Sequence, residues 1–222
     1  LSLSLQHHLQ HLVTNRIFWL KKRIFDFVVA ATAIIMTAPL FLLVALLVAI
    51  DVGSPILFWQ QRPGRFGHRF KVYKFRTMKA AHDRKGRKLS DEERLSSIGR
   101  FIRRTRFDEL PQLFNILVGQ MSFIGPRPLL PIDQSSEHSA RLAVRPGLSG
   151  WAQVNGGREV SVTDKAAMDV WYVHNANFLL DLKIILATLH MVVFGERPNP
   201  AVVRDAWRYL QQRGFSSVTL NA

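Results

Sequence analysis

One long apolar run dominates the pattern of apolar and polar positions along the chain. It covers residues 24–50, follows Lys21, Lys22 and Arg23, and is interrupted only by Asp26, Thr32, Thr37 and Pro39. A helix of this length is sufficient to cross the roughly 30 Å apolar layer of a bilayer. A secretory signal peptide also has a basic lead and an apolar core, but this core is too long and its lead too extended. The run therefore predicts a membrane helix.

The path of this helix depends on Pro39 and on the flanking charges. Proline removes a backbone donor and clashes with the preceding turn, so we expect a helix break at Ala38 and Pro39. The two arms, residues 24–38 and 40–50, would measure about 22 Å and 16 Å, each too short to cross. Basic residues on both sides of the run also argue against crossing. The sequence favours a re-entrant hairpin that returns to the cytoplasmic face, with a single proline-kinked span as the alternative.

Two short runs after the apolar segment predict a β-hairpin. Residues 56–62 and 69–75 are rich in strand-forming side chains and flank a turn that contains proline and glycine. Residues 79–95 are polar and charged, which predicts a surface loop.

Apolar positions at helical spacing follow this loop. They predict one helix over 98–105, and Pro111 suits the first turn of another helix that ends near Gly119. Residues 178–194 are apolar apart from one acid, one lysine and one histidine, and they barely reach the length of a span. This segment predicts an interfacial or buried helix.

Composition narrows the classes of partner. Thirty lysines and arginines against sixteen acidic residues give a formal charge of +14, which favours nucleic acids, anionic membranes or phosphorylated substrates. Because 48% of the residues are apolar and the mean hydropathy is +0.05, a membrane-associated protein is favoured over a nucleic-acid binder. The chain has no cysteine, which excludes disulfides, thiol catalysis and thiolate metal sites.

The candidate chemistry is concentrated in residues 103–112, where three arginines precede Asp108 and Glu109. Guanidinium groups neutralise phosphates, and carboxylates supply a nucleophile or an oxygen ligand for Mg²⁺. Adjacent acids at a helix N-terminus also commonly cap free N–H groups and complement the helix dipole. From this segment alone both interpretations remain open.

Arg127 is a second candidate, because it lies between Pro126 and Pro128. Two prolines restrict the backbone on both sides, so the arginine is presented at little cost in conformational entropy. A rigid turn that carries a solvated arginine would have the same sequence, and the residues alone do not separate the two interpretations.

Several motifs, in this order, resemble one family. They are the basic lead into a proline-broken helix, Lys-Phe-Arg-Thr-Met at 74–78, Asp-Glu-Leu-Pro-Gln at 108–112, Gly-Pro-Arg-Pro at 125–128, Arg-Pro-Gly at 145–147 and Gly-Trp-Ala-Gln-Val-Asn-Gly at 150–156. From Lys21 to Glu196 the chain resembles bacterial sugar transferases of the monotopic polyprenyl-phosphate phosphoglycosyl transferase class, which start exopolysaccharide or O-antigen repeat units. It looks like the short, exopolysaccharide-initiating form.

The resemblance implies covalent catalysis by the acidic pair. Asp108 would attack the sugar-linked phosphorus of a UDP-sugar and release UMP, and polyprenyl phosphate would then take the sugar phosphate from Asp108. Glu109 would hold Mg²⁺. Arg103 would bind phosphate, and Arg127, with Pro126 and Pro128 on either side, would bind the nucleotide end of the donor.

The resemblance also implies partners and location. The expected partners are a UDP-sugar donor, undecaprenyl phosphate and lipid of the bacterial inner membrane at its cytoplasmic face, with no nucleic acid and with homo-oligomerisation left open. Galactose or glucose is the first expectation for the sugar. Two departures bear on detail: Ala38 stands where members often have serine before the proline, and Gly157-Arg158 replaces a more usual Gly-Arg-Asn pattern. These departures leave the choice of sugar open.

Together, the pattern and the resemblance predict an α+β fold that is mostly helical. It would combine a re-entrant membrane helix hairpin with a cytosolic helical catalytic domain, a small β-hairpin and interfacial amphipathic helices. We predict an N-terminal tail at 1–20, the membrane hairpin at 21–51, the catalytic domain at 52–198 and a C-terminal tail at 199–222.

The main rival is a membrane-tethered basic protein that binds polyanions, or acts as a scaffold, without catalysis. Its basic face would explain the charge of +14. It would not need Asp108 and Glu109 among arginines, and the sequence contains no recognised nucleic-acid-binding module.

Overall fold

The computed structural model describes residues 16–82, 85–130, 136–156 and 160–213. Within these residues the helices are α1 (Arg16–Asp51), α2 (Asp91–Arg94), α3 (Ser97–Arg104), α4 (Gln112–Leu117), α5 (Trp151–Gly156), α6 (Val162–Asn175), α7 (Phe178–Phe194) and α8 (Pro200–Gln212). The strands are β1 (Leu57–Pro63), β2 (Arg69–Phe75), β3 (Ser122–Ile124) and β4 (Gly147–Ser149). Short 3₁₀ segments cover Arg65–Gly67, Phe107–Glu109 and Ser136–Ala143. The predicted α+β class, mostly helical, is confirmed.

α1 is one continuous helix of 36 residues with Pro39 inside it. The predicted division into two arms at Ala38 and Pro39 is therefore not observed. Both halves of the helix pack on the rest of the protein, the first through Ala30 and the second through Val44 and Val48. This packing on either side offsets the single hydrogen bond that proline removes. The path of α1 relative to a membrane stays a prediction.

Only one stripe of α1 is buried. Its members, most of them four residues apart, are Phe18, Lys22, Asp26, Ala30, Val44 and Val48. The other faces carry exposed apolar side chains, such as Ile35 and Met36 at 75% and 76% exposure. By length and composition α1 is able to cross a membrane, and only 11% of its most apolar part is buried inside the protein. Its exposed faces therefore differ from those of a soluble core helix, as expected for a membrane helix.

Charged side chains also fix α1 to the remaining helices. Nζ of Lys22 forms a buried ion pair with Asp181 of α7. Arg23 donates two hydrogen bonds of 2.7 Å to the carbonyl oxygens of Ile116 and Leu117. These carbonyls belong to the last turn of α4, where a helix leaves its acceptors without helical partners. The position of α1 is therefore set by polar contacts as well as by apolar packing.

The predicted β-hairpin is confirmed. β1 and β2 pair in antiparallel register from Leu57↔Phe75 to Pro63↔Arg69. The connecting turn has positive φ at Phe66 and Gly67, at 57° and 80°. One face of β2 is buried in the core, while several side chains of β1 are exposed.

The predicted polar loop, residues 79–95, contains the short helix α2. Ser90 caps this helix, and Glu93 completes a capping box with the backbone of Ser90. Residues 83–84 lie outside the described part of the chain.

β3 and β4 form a second, parallel pair through Ser122↔Gly147 and Ile124↔Ser149. The chain segments around this pair approach so closely that a side chain has no room. A Cβ at Gly147 would lie 2.1 Å from N of Gly125, and a Cβ at Gly150 would lie 2.1 Å from O of Gly125. This contact fixes the start of the loop that contains Arg127.

The C-terminal helices enclose the largest apolar cluster. Trp151 of α5, Met168 and Tyr172 of α6 and Ile184 of α7 form its centre. α8 adds Ala206 to this cluster, so Pro200–Gln212, which lie within the predicted C-terminal tail at 199–222, form a helix that packs on the folded unit.

The helix predicted over 178–194 is confirmed as α7. Asp181, Ile184 and Met191 are buried, whereas apolar side chains such as Leu179 and Val193 are 77% and 70% exposed. α7 therefore presents an uncovered apolar face, and its position at a membrane interface stays a prediction.

Candidate active site

Asp108 and Glu109 lie on the 3₁₀ turn between α3 and α4. Phe107 and Leu110, on either side of them in sequence, pack on the apolar cluster around Val44. Both carboxylates line an open cavity of about 1370 Å³. The predicted position of the acidic pair, just before a helix that starts at Pro111 and Gln112, is confirmed.

Arg106 precedes this turn in a left-handed backbone conformation, with φ 61° and ψ 16°. Such a conformation costs a residue other than glycine about 1–2 kcal/mol. Backbone bonds close the bend: N of Arg106 donates to O of Arg103 at 3.2 Å, and N of Glu109 donates to O of Arg106 at 3.1 Å. The bend brings Arg106 to the wall of the same cavity.

Glu109 is held as a carboxylate by cations. Nζ of Lys74 lies 2.6 Å from Oε1, and Nη1 of Arg106 lies 3.8 Å from Oε2. Burial by itself would raise the pKa of Glu109, but the charges of Lys74, Arg106 and Arg127 outweigh burial and lower this pKa below its usual value. Glu109 is therefore ionised at neutral pH.

Asp108 has a different environment from its neighbour. Among the described residues it has no hydrogen-bond partner. Burial and then the negative charge of Glu109 raise the pKa of Asp108 to about 6, against the opposing charges of Lys74, Arg103 and Arg106. At neutral pH the carboxylate of Asp108 is therefore mostly ionised, and no hydrogen bond from the described residues engages its oxygens.

Arg103 reaches the cavity, as predicted. Its Nε donates a hydrogen bond of 2.8 Å to Oγ1 of Thr77, which is buried just after β2. Its two terminal nitrogens make no hydrogen bond with the described residues. The bond from Nε therefore orients Arg103, and both terminal nitrogens remain available. A guanidinium can bind phosphate in a bidentate manner through such a pair of nitrogens.

Hydrogen bonds from other segments hold the backbone of the loop around Arg127. O of Pro126 accepts a hydrogen bond from N of Gly147 at 2.9 Å, and O of Arg127 accepts one from Nη2 of Arg141 at 2.8 Å. Arg127 lines the main cavity. Pro126 and Pro128 line a smaller pocket behind the loop instead, so they act on Arg127 through the backbone.

A buried ion pair, Arg141 and Asp169, also contributes to the cavity wall. Their side chains are 3% and 2% exposed, and Nη2 of Arg141 donates to Oδ2 of Asp169. Burial raises the pKa of Asp169, and the charge of Arg141 opposes this rise. The two residues are 28 positions apart in the chain, so local sequence gave no signal for the pair.

The cavity as a whole is strongly basic. Its described lining includes eleven lysines and arginines and four carboxylates. A wall of this charge concentrates anions such as diphosphates. Its volume of about 1370 Å³ exceeds the roughly 300–1,000 Å³ of common ligand pockets, so the cavity is large enough for more than one small ligand.

The acidic pair also fits a Mg²⁺ ion that is shared with a substrate. Within the described ranges no three His, Cys, Asp or Glu side chains converge on one point, so an all-protein metal cage is not found there. Mg²⁺ commonly uses only one or two carboxylates together with substrate phosphates and water. Among described donors, none lies within hydrogen-bond distance of Oε2 of Glu109, and this oxygen matches such a role.

Several residues that line the site or contact its carboxylates carry no local signal in the sequence. Lys74 belongs to the Lys-Phe-Arg-Thr-Met motif and Arg106 to the run of three arginines, but neither pattern predicts the contact with Glu109. Glu196 was not singled out, yet its Oε1 accepts a hydrogen bond of 3.1 Å from Nη2 of Arg106. Ala38 and Pro39 are exposed on α1 and do not line the cavity.

Most of the chain is similar in sequence to known proteins. The sequence profile of the family described as bacterial sugar transferase matches residues 17–195. The uncharacterized sugar transferase EpsL of Bacillus subtilis (strain 168) is 45% identical over 179 residues, which are 79% of this chain and 88% of that protein. The exopolysaccharide production protein ExoY of Sinorhizobium fredii is 38% identical over 193 residues, or 78% of this chain and 85% of the relative. The undecaprenyl-phosphate glucose phosphotransferase of Komagataeibacter xylinus is 38% identical over 192 residues, covering 79% of this chain but 36% of that longer protein.

Proposed function

Because the chain belongs to the bacterial sugar transferase family, we propose that it transfers a sugar 1-phosphate from a UDP-sugar to undecaprenyl phosphate in exopolysaccharide synthesis. Galactose or glucose is the proposed sugar. The observation that carries this proposal is Asp108, a carboxylate without hydrogen-bond partners among the described residues, on the wall of a basic cavity. Relatives named as an undecaprenyl-phosphate glucose phosphotransferase and an exopolysaccharide production protein support the substrate class.

The proposed reaction has two displacement steps. In the first, an oxygen of Asp108 attacks the sugar-linked phosphorus of the donor, the bond from this phosphorus to the bridging oxygen breaks, and UMP leaves with the bonding electrons. In the second, a phosphate oxygen of undecaprenyl phosphate attacks the same phosphorus and releases the carboxylate of Asp108. The products are UMP and an undecaprenyl diphosphate sugar, and the enzyme is restored.

The charged residues around Asp108 would lower the barrier to attack on an anion. Arg103 offers its terminal guanidinium nitrogens to the diphosphate, and Arg127 offers its side chain to the nucleotide end. Glu109 would hold Mg²⁺ through the oxygen that Lys74 does not engage. When bound, this ion would neutralise charge on the diphosphate and on the departing UMP.

The exposed apolar faces support a site at the cytoplasmic face of the bacterial inner membrane. α1 and α7 both present uncovered apolar side chains, and the lysines and arginines of the chain favour anionic lipid at about 1 kcal/mol for each residue near the surface. An acceptor with an isoprenoid tail keeps its phosphate at the headgroup level. The proposed location brings this phosphate and a soluble donor to one cavity.

The experiment that tests the function uses purified protein in detergent, Mg²⁺ and a panel of UDP-sugars without acceptor. We expect a near-stoichiometric burst of UMP with one sugar and a matching hexose-phosphate increase in intact protein mass. Asp108→Asn should show neither.

Two other outcomes would contradict parts of the proposal. Turnover that appears only after undecaprenyl phosphate is added, with no burst and no adduct, would indicate direct transfer between the two substrates. No reaction in either condition would favour the non-catalytic binding or scaffold protein.

A further inference from the structure

Arg106 lies between two carboxylates that come from distant parts of the chain. Its Nη2 is 3.1 Å from Oε1 of Glu196, and its Nη1 is 3.8 Å from Oε2 of Glu109. The shorter distance is a hydrogen-bonded ion pair, whereas the longer one is a charge contact without a hydrogen bond. Arg106 is therefore bound mainly to Glu196.

The pairing of Arg106 with Glu196 determines which oxygens of Glu109 are in contact with a cation. Lys74 already binds Oε1 of Glu109 at 2.6 Å. If Arg106 also formed a close pair with Oε2, both oxygens of Glu109 would be taken by cations. Glu196 draws the guanidinium away and leaves Oε2 without a close donor among the described residues.

Glu196 is well placed for this task. It follows Gly195, which ends α7 with a positive φ of 87°, and it belongs to the short connection to α8. N of Asn199 donates a hydrogen bond of 2.7 Å to O of Asn155, which ties this connection to α5. The family model matches residues 17–195, so Glu196 directly follows the matched segment.

We propose that Glu196 is a positioning residue for the reaction proposed above, because it holds Arg106 away from Glu109 and so keeps one oxygen of Glu109 open to a divalent cation. Without Glu196, the neighbouring acidic partner of Arg106 is Glu109, three residues further along the chain. The guanidinium would then compete with the cation for the same oxygen. This inference rests on the proposed function only for the reaction that the cation assists. The effect of Glu196 on cation binding is measured without that reaction.

The test compares Glu196→Gln, Arg106→Gln and the double variant. Mn²⁺, which is detected by electron paramagnetic resonance, replaces Mg²⁺ as the probe for binding to the full chain without donor. We expect Glu196→Gln to weaken Mn²⁺ binding about three- to tenfold. In the Arg106→Gln background the same change should have little effect, because the competing guanidinium is absent. Glu196→Asp should restore part of the affinity.

The double variant also separates this role from simple loss of a negative charge. A direct electrostatic effect of Glu196 on the cation would weaken Mn²⁺ binding equally in both backgrounds, and that result would overturn the proposal. Unchanged Mn²⁺ affinity in Glu196→Gln would overturn it as well. Asp205→Asn is the matched control, since it removes the acid of an exposed 3.2 Å ion pair with Arg208 that does not line the cavity.

Activity measurements distinguish this inference from the proposed function. If wild-type protein transfers sugar phosphate, Glu196→Gln should raise the Mg²⁺ concentration needed for half-maximal rate by the same factor as the change in Mn²⁺ affinity. If wild-type protein proves inactive with every donor, the function fails while the Mn²⁺ comparison still decides the role of Glu196.

Discussion

Asp108 combines burial with an adjacent negative charge, and together these raise its pKa to about 6. Attack on phosphorus needs the carboxylate form. We therefore expect the rate of the UMP burst to fall as the pH decreases through about 6, approaching tenfold per pH unit below it. Rapid-quench measurements of the burst rate from pH 5 to 8 would show this decrease. A fall in rate only near pH 4, where an ordinary aspartate titrates, would show that burial and Glu109 do not raise the pKa of Asp108 in the working enzyme.

At the scale of residues, the sequence predicted the candidate site members that stand in recognisable local motifs. Asp108, Glu109, Arg103 and Arg127 stand in short motifs with proline or arginine neighbours, and the structure places all four on one cavity. Contacts between residues that are far apart in the sequence could not be predicted from such motifs. Glu196 lies 90 positions from Arg106, and no local pattern joins the two.

Among the elements, the close contact between β3, β4 and the start of α5 gives a sharp test. Gly150→Ala would place a Cβ 2.1 Å from the carbonyl oxygen of Gly125, so we expect a loss of about 2–3 kcal/mol of stability and displacement of the loop that presents Arg127. Thermal unfolding in detergent measures the first effect, and donor KM the second.

Gly156→Ala is the matched control for this change. Its added methyl group would meet side-chain atoms and no backbone: Cε of Met168 at 3.1 Å, then Val160 and Lys165 at 3.5 and 3.6 Å. Equal stability of the two variants would show that the backbone contact at Gly125 does not restrain the loop.

The topology of α1 is testable by labelling, because the chain has no cysteine. Single cysteines at Arg16 and Ser54, both exposed and at opposite ends of α1, would report the side of the membrane on which each end lies. For a re-entrant path we expect both to react with an impermeant maleimide in inverted inner-membrane vesicles. Reaction at one site alone would indicate a spanning helix. The same pair in a Pro39→Ala background tests whether the proline sets the path.

Elements that local interactions form could be predicted from the sequence, whereas features that depend on contacts between distant residues could not. The β-hairpin, α4 and α7 depend on local spacing and turn residues, and all three were predicted. The break at Pro39 was predicted from the local rule for proline, but packing of both halves of α1 keeps the helix continuous. The role of α8 was missed because its burial depends on contact with α6, which a short amphipathic segment does not reveal.

For the whole molecule, the buried pair of Lys22 and Asp181 joins the long helix to the C-terminal helices. Their side chains are 5% and 9% exposed, and Oη of Tyr172 also donates to Asp181, at 2.7 Å. Lys22→Met would leave a buried carboxylate without its cation, so we expect a loss of about 3–5 kcal/mol. Chemical unfolding in detergent measures this loss.

Lys21→Met is the control for this variant, because the neighbouring Lys21 is exposed and its removal should change stability by no more than about 0.5 kcal/mol. If both variants lose the same stability, the pair does not join α1 to the rest of the protein. The predicted mostly helical α+β class is correct at this scale, while the cross-links that unite its parts could not be predicted because they connect residues far apart in sequence.

The two hydrogen bonds from Arg23 to the end of α4 have a consequence for how substrates meet. α4 begins three residues after Glu109, and its residues Leu113 and Ile116 pack with Ala30 of α1. The proposed reacting carboxylates therefore keep a fixed position relative to α1. Where α1 rests in lipid, an acceptor confined to the lipid surface searches for the cavity in two dimensions instead of three. Thinning or thickening the bilayer would change the position of the acceptor phosphate relative to the cavity. The transfer rate should therefore vary with acyl-chain length even when the headgroups are the same.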